Sequence, residues 1–138
     1  MRAKLFTLRE ANNLLPRLEP WMRHLIARRM ELREHQEELA AFRTLASRSG
    51  GAFPGGRYAR AKSESTRLLA EIHDGVKEIE FLGCVVKDLD YGLVDFPARR
   101  GHEQVYLCWR LGEPEIRHWH GLREGFAGRK PLGDDPVD

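Results

Sequence analysis

The feature that most constrains the fold is a leucine that recurs every seven residues in the first third of the chain. Leu18, Leu25, Leu32 and Leu39 form this leucine seam, and Ala46 continues its register. Seven residues make about two turns of an α-helix, so these side chains lie along one side of it. One leucine per heptad is a narrower seam than that of a full coiled coil. The spacing therefore predicts a long helix that packs on one partner and keeps its other faces in water.

Two local signals predict where helical structure begins. Thr7 and Glu10 are three residues apart, the spacing of a capping box in which each side chain accepts from the other residue's backbone N–H. Pro16 and Pro20 lack the N–H that a helix interior needs. They predict a short first helix, followed by a long helix that begins at one of the two prolines.

A second helical stripe follows a glycine-rich break at residues 49–56, which predicts a flexible turn. The second helix is expected to run from Tyr58 or Ser63 to Leu82, and Gly83 is expected to end it. Its apolar positions are three and four residues apart: Leu69, Ile72, Val76, Ile79 and Leu82. Two antiparallel helices would bury this stripe against the leucine seam.

The chain changes character after Gly83, where short apolar runs alternate with turn residues. Strands are predicted at residues 84–87, 92–96, 105–111 and 115–120, and Pro97 is expected to close the second of them. A tight turn at residues 112–114 would place Cys108 opposite His118 and Tyr106 opposite His120. The predicted class is α+β in a single domain over residues 1–138. A long antiparallel helical hairpin (7–82) leads into a small antiparallel sheet of three to four strands (84–120) and an irregular tail (121–138).

Charge and composition argue against several classes of protein. Lys plus Arg total 23 and Asp plus Glu total 21, so the net charge of +2 offers no field for nucleic acid or an anionic membrane. Basic residues on the helices are interleaved with glutamates, which is typical of a solvated surface. No apolar run reaches the ~18 residues of a membrane span, and residues 1–6 do not resemble a signal peptide. With two cysteines, Cys84 and Cys108, the sequence predicts a cytoplasmic protein with reduced thiols.

Three segments of the sequence resemble a known family. They are FTLxxANxLLP at residues 6–16 (x is any residue), GLVDFPA at 92–98, and VYLCWRLGEPEI at 105–116, which continues through Trp119 and His120 to GFAGR at 125–129. These segments are similar to a bacterial family called domain of unknown function DUF2203, some members of which are loosely labelled division-initiation-like. The resemblance spans nearly the whole chain and implies no particular activity.

The densest group of potential metal ligands lies in the predicted sheet. His118 and His120 are two residues apart and point to the same face of a strand, with Cys108 opposite. A thiolate and two imidazoles on one face suit zinc or iron, and Asp95 would add a carboxylate if the register of its strand allows. No CxxC or HExxH motif is present. Without a metal, Cys108 would be a small buried hydrophobe and His120 would bond to a backbone carbonyl.

The same region predicts a ligand-binding pocket. The residues expected to frame it combine acidic, basic and aromatic groups: Asp95, Tyr106, Glu113, Trp119, His120 and Arg129. His120 beside Glu113 or Asp95 would form a general-base pair, because a carboxylate fixes the tautomer of an imidazole and raises its basicity. No GxSxG nucleophile motif accompanies it. The sequence therefore leaves open whether the protein is an enzyme.

Two functions follow from these features. The first is a non-enzymatic interaction or regulatory module, because Trp21, Met22, Ile26 and Phe42 widen the apolar stripe beyond the leucine seam. This predicts a homo-oligomer, or a helical protein partner. The alternative is a small metal- or ligand-binding protein, or an enzyme, with its site on the C-terminal sheet.

Overall fold

Two helices precede a five-stranded sheet in the computed structural model, which describes residues 4–48 and 55–133. The elements are α1 (Leu8–Arg48), α2 (Gly55–Glu80), β1 (Val85–Asp88), β2 (Leu93–Arg100), β3 (Glu103–Arg110), β4 (His118–Gly121), a 3₁₀ turn (Phe126–Gly128) and β5 (Lys130–Pro131). The strands follow one another in sequence order across the sheet, and each pairs antiparallel with the next. The α+β class with a helical hairpin is confirmed, and the sheet has one strand more than the upper number expected.

The long helix α1 begins where the capping box predicts. Glu10 N–H donates to Thr7 Oγ1 and Thr7 N–H donates to Glu10 Oε1, each at 3.0 Å. The predicted short first helix is wrong, because α1 continues through both Pro16 and Pro20. Each proline removes one helical hydrogen bond. Both prolines are exposed, so water can satisfy the freed carbonyls while the opposite side of the helix stays buried.

The leucine seam is buried as predicted, and its packing partner changes along the helix. Ala11, Leu15, Leu18, Met22 and Leu25 belong to the core that α1 forms with the sheet. Further along, Leu32, Leu39 and Phe42 are also buried, and the Phe42 ring lies 6.1 Å from that of Tyr58 on α2. The start of α1 thus packs against the sheet, and from Leu25 onward the helix packs against α2.

The buried stripe of α2 matches the predicted one at its C-terminal end, where Ile79 is buried and Val76 and Leu82 are partly buried against the core, but differs before it. Leu69 is 52% exposed, and the buried residues are Ala61, Ser65, Leu68 and Ile79. Small residues place α2 close to α1: a Cβ added at Gly75 would lie 2.5 Å from Leu25 Cδ2. The stripe thus contains Leu68 in place of the predicted Leu69, and it begins with the small residues Ala61 and Ser65. The helix begins at Gly55, and residues 49–54 of the predicted turn lie outside the described residues.

Strand β2 does not end at Pro97, which corrects the prediction, but continues to Arg100. The carbonyl of Pro97 accepts from Phe6 N–H at 2.7 Å. In a strand, the N–H and C=O of one residue point to the same side. The missing N–H of Pro97 therefore points toward Phe6 and away from β3, so no ladder bond between β2 and β3 is lost.

The two faces of the sheet have different surroundings. Val94, Phe96, Leu107 and Trp109 point into the core shared with the helices. Alternate residues point the other way, and we call the surface that they form on β2, β3 and β4 the outer face. The tail folds back beside it, since it contains the 3₁₀ turn and β5, which pairs with β4. The described part of the tail is therefore more regular than predicted.

Neither of the two helices, over the residues that the structure describes, is long and apolar enough to cross a membrane.

Candidate metal centre on the outer face

Three neighbouring strands each contribute one side chain to a cluster on the outer face. Asp95 of β2 pairs with Cys108 of β3, and Cys108 pairs with His118 of β4. Tyr106 pairs with His120, so both pairings predicted for β3 and β4 are confirmed. His120 lies diagonally across from Cys108, which brings it toward Asp95.

The cluster consists of Asp95, Cys108 and His120. One ligand atom from each lies within 4.8 Å of the other two. The three residues are 2%, 1% and 1% exposed, respectively. Ionisable side chains are costly to bury without partners, so the burial of all three in one place marks the cluster as the first candidate for a site.

His120 is held by hydrogen bonds at both ring nitrogens. Nδ1 lies 2.9 Å from the carbonyl of Gly121, and Nε2 lies 3.0 Å from Asp95 Oδ1. A carbonyl only accepts, so Nδ1 carries a proton. A second proton must then lie between Nε2 and Oδ1, either on the imidazole or on the carboxyl. His120 thus pairs with Asp95 and not with Glu113, and the predicted bond from His120 to a backbone carbonyl is present as well. Because both ring nitrogens are engaged, neither is free to act as a base in this arrangement.

The Cys108 thiol is protonated at neutral pH. Burial raises its pKa to about 11, and the negative charge of Asp95 acts in the same direction. Burial likewise raises the pKa of Cys84 to about 11. Cys84 lies elsewhere, where its Sγ donates to the carbonyl of Ile79 at 3.5 Å. The two cysteines therefore have similar acidity, but Cys108 alone of the two belongs to the cluster.

An ion pair from the tail crosses β3 beside the cluster. Arg129 donates to Glu113 Oε1 at 2.5 Å and to the carbonyl of Cys108 at 3.2 Å. Burial favours a raised pKa for Glu113, but the hydrogen bonds from Arg129 and from Arg110 N–H outweigh it, so the pKa lies below its ordinary value. Glu113 and Arg129 were predicted as ligand-binding residues. The structure pairs them with each other next to the cluster.

The other residues predicted for the site, His118, Tyr106 and Trp119, lie outside the cluster. His118 points to the outer face, but its Nδ1 lies 3.7 Å from Glu113 Oε2 and it is not part of the cluster. The Tyr106 ring packs 5.5 Å from that of His120. Trp119 points to the opposite face, where the cations of Arg100 and Lys130 lie 4.5 and 4.7 Å from its ring centroid. Of the three metal ligands predicted first, the cluster contains Cys108 and His120 but not His118, and Asp95 is its third member.

The cluster fits a transition-metal ion. Around a tetrahedral zinc ion, bonds of ordinary length place two ligand atoms about 3.3–3.6 Å apart. The ligand atoms of Asp95, Cys108 and His120 lie within 4.8 Å of one another, so metal binding requires no two of them to approach by more than about 1.5 Å. The Nδ1–H of His120 already donates to a backbone carbonyl, which is how metal-bound histidines are commonly oriented. Sulfur, nitrogen and oxygen together suit Zn²⁺ or Fe²⁺ better than Mg²⁺ or Ca²⁺.

Comparison with known proteins gives a family match. A family model described as "Uncharacterized conserved protein (DUF2203)" matches residues 4–132. The match includes both helices as well as Asp95, Cys108 and His120. No curated protein and no solved structure matches the chain.

Proposed function

The chain belongs to the DUF2203 family, and we propose that it is a metal-binding protein that holds one divalent transition-metal ion on Asp95, Cys108 and His120. The observation that carries the proposal is the convergence of three buried metal-ligand side chains from three adjacent strands, all within 4.8 Å. Zn²⁺ is the first candidate and Fe²⁺ the second, because both accept mixed sulfur, nitrogen and oxygen ligands.

Charge balance supports a divalent ion at this position. Without metal, the Cys108 thiol is neutral, and Asp95 and His120 share one proton, so the three side chains have no net charge. With metal bound, the thiolate and the carboxylate supply two negative charges, which a divalent cation cancels. The buried cluster is thus neutral in both states, which avoids the large free-energy cost of a net charge in the protein interior.

Three protein ligands leave a fourth coordination position. Structural zinc sites usually have four protein ligands, whereas sites that bind water or a substrate have three. The proposed site is of the second kind. The two free cysteines also fit a reducing compartment, and we keep a cytoplasmic location as part of the proposal.

The test of this function is the number of protons that metal binding releases. Zn²⁺ must displace the thiol proton of Cys108 and the proton shared by Asp95 and His120. We expect about two protons released per zinc between pH 6.5 and 8.5, and an apparent affinity that rises about 100-fold per pH unit. Isothermal titration calorimetry in buffers of different ionisation enthalpy measures this number. Release of one proton or none would contradict the proposed ligand set.

Self-association through the hairpin is the second candidate function. Two of the residues that motivated it, Met22 and Phe42, are buried within the chain itself. The observation that favours it now is that Met30, Leu45 and Leu69 are 60%, 50% and 52% exposed. Burial of these apolar side chains against a second copy or a helical partner would be favourable.

Sedimentation equilibrium tests this second function. If the hairpin associates, we expect a dimer or larger species at ~100 µM protein, and replacement of Leu69 by Lys should shift it toward the monomer, because a charge disfavours an apolar interface. A strict monomer at every protein concentration up to this value would exclude self-association.

A further inference from the structure

A cavity of about 360 Å³ opens on the outer face, on the side of the cluster away from His120. Its walls are Asp88, Tyr91, Leu93, Arg110 and Phe126. Leu93 and Arg110 pair with each other across β2 and β3. They lie two residues beyond Asp95 and Cys108 on the same face, about 7 Å along the strands. The volume is within the range of small-molecule sites.

Aromatic rings flank the cation in this cavity. The Arg110 guanidinium lies 6.0 Å from the Tyr91 ring centroid and 5.9 Å from the Phe126 ring centroid. Both rings are accessible to a ligand in the cavity, since Tyr91 is 64% and Phe126 is 41% exposed. A guanidinium held beside aromatic rings keeps its five N–H donors, because stacking uses its face and not its edge.

Arg110 has no carboxylate partner for its side chain in the described part of the chain. None of the ion pairs there includes it, although Asp88 lies on the same cavity wall. Asp88 Oδ1 instead accepts from Tyr91 N–H at 3.0 Å, which fixes the turn that bears this ring. The guanidinium of Arg129, by contrast, lies 4.7 Å from the Phe126 ring centroid and is neutralised by its ion pair with Glu113. Arg110 is therefore the cation of this region that can bind an external anion.

We propose that this cavity binds a small molecule in which a planar apolar ring system carries one carboxylate. The ring would pack between Tyr91, Phe126 and the apolar wall of Leu93, and the carboxylate would accept two hydrogen bonds from the fork of Arg110. The single cation and the nearby Asp88 favour a monoanion over a more highly charged group such as a phosphate monoester. This site does not depend on the proposed metal.

The experiment uses 2-naphthoate as the probe and 2-naphthamide as its neutral counterpart. Both are titrated into the full chain treated with a chelator, and binding is followed by ¹H–¹⁵N NMR. We expect shifts centred on Tyr91, Arg110 and Phe126, and affinity for the carboxylate at least about tenfold above that for the amide. Arg110→Gln should remove this preference. Arg110→Lys should retain part of it, because the charge remains without the planar fork.

A matched control is Arg117→Gln, which removes the same charge from an exposed arginine paired with Glu115 away from the cavity. It should leave the affinity for 2-naphthoate unchanged. Equal affinity for the two probes, equal loss in the Arg110 and Arg117 variants, or no shift at Tyr91 and Phe126 up to ~10 mM probe would each overturn the proposal. Because the measurement is made without metal, its failure leaves the proposed metal site untouched.

Discussion

Replacement of Cys108 by alanine is expected to abolish stoichiometric zinc binding, whereas the same replacement at Cys84 leaves it intact. Cys108 is the sulfur ligand of the proposed site and lies within 4.8 Å of its two partners. Loss of a residue that only orients a metal ligand costs about 10- to 100-fold in affinity. Loss of the ligand itself should cost more, so we expect at least about a 1,000-fold weaker affinity in Cys108→Ala.

Cys84 is a close control for this experiment. It is buried to the same degree as Cys108, is likewise a free thiol, and has a pKa raised to about 11 by burial. Each substitution therefore removes one buried, protonated thiol, and the two variants differ in whether that thiol belongs to the cluster. The measurement is competition for Zn²⁺ with a chromogenic chelator. Equal affinity in the two variants would show that Cys108 is not a ligand.

Replacement of Asp95 by alanine is expected to destabilise the metal-free protein by about 3 kcal/mol, because it leaves a buried polar partner without its bond. Nε2 of His120 would lose the carboxylate at 3.0 Å and has no access to water, since His120 is 1% exposed. Asp95→Asn should cost only about 1 kcal/mol. The carboxamide N–H can donate to Nε2 while Nδ1–H still donates to the carbonyl of Gly121.

Urea unfolding of the two Asp95 variants in the presence of a chelator measures this difference. Both variants should lose zinc binding, since a carboxamide oxygen is a poor substitute for a carboxylate. The asparagine variant thus separates the ligand role of Asp95 from its structural role. If Asp95→Asn destabilises the protein as much as Asp95→Ala does, the hydrogen bond between Asp95 and His120 does not contribute to stability in the expected way.

Periodicity was enough to predict the register between β3 and β4, although the connection between them, residues 111–117, is longer than the tight turn expected. The alternation in β3 and a turn expected at residues 112–114 predict the pairs Cys108–His118 and Tyr106–His120, and both pairs are present. The burial of the leucine seam was predictable for the same reason, since a seven-residue repeat places all its members on one side of a helix. Local signals thus determine these parts of the fold.

Features that depend on tertiary packing were not predictable in this way. Helix α1 continues through Pro16 because its opposite side is buried against the sheet, and β2 continues through Pro97 because the missing N–H points away from β3. The position of Asp95 depends on how β2 pairs with β3, and a slip of one residue would have moved it to the core face. A signal was nevertheless present in the sequence, because an aspartate within the apolar run at residues 93–96 needs a buried partner.

The central claim is that Asp95, Cys108 and His120 hold one metal ion, and zinc K-edge X-ray absorption of untagged protein tests it most directly. We expect one zinc per chain with a single sulfur neighbour at about 2.3 Å and nitrogen or oxygen neighbours at about 2.0–2.1 Å. Cys108→Ala should take up no stoichiometric zinc, whereas Cys84→Ala should bind one zinc with the sulfur neighbour retained. A chain that takes up no stoichiometric zinc or iron, or a metal without a sulfur neighbour, would contradict the proposed site.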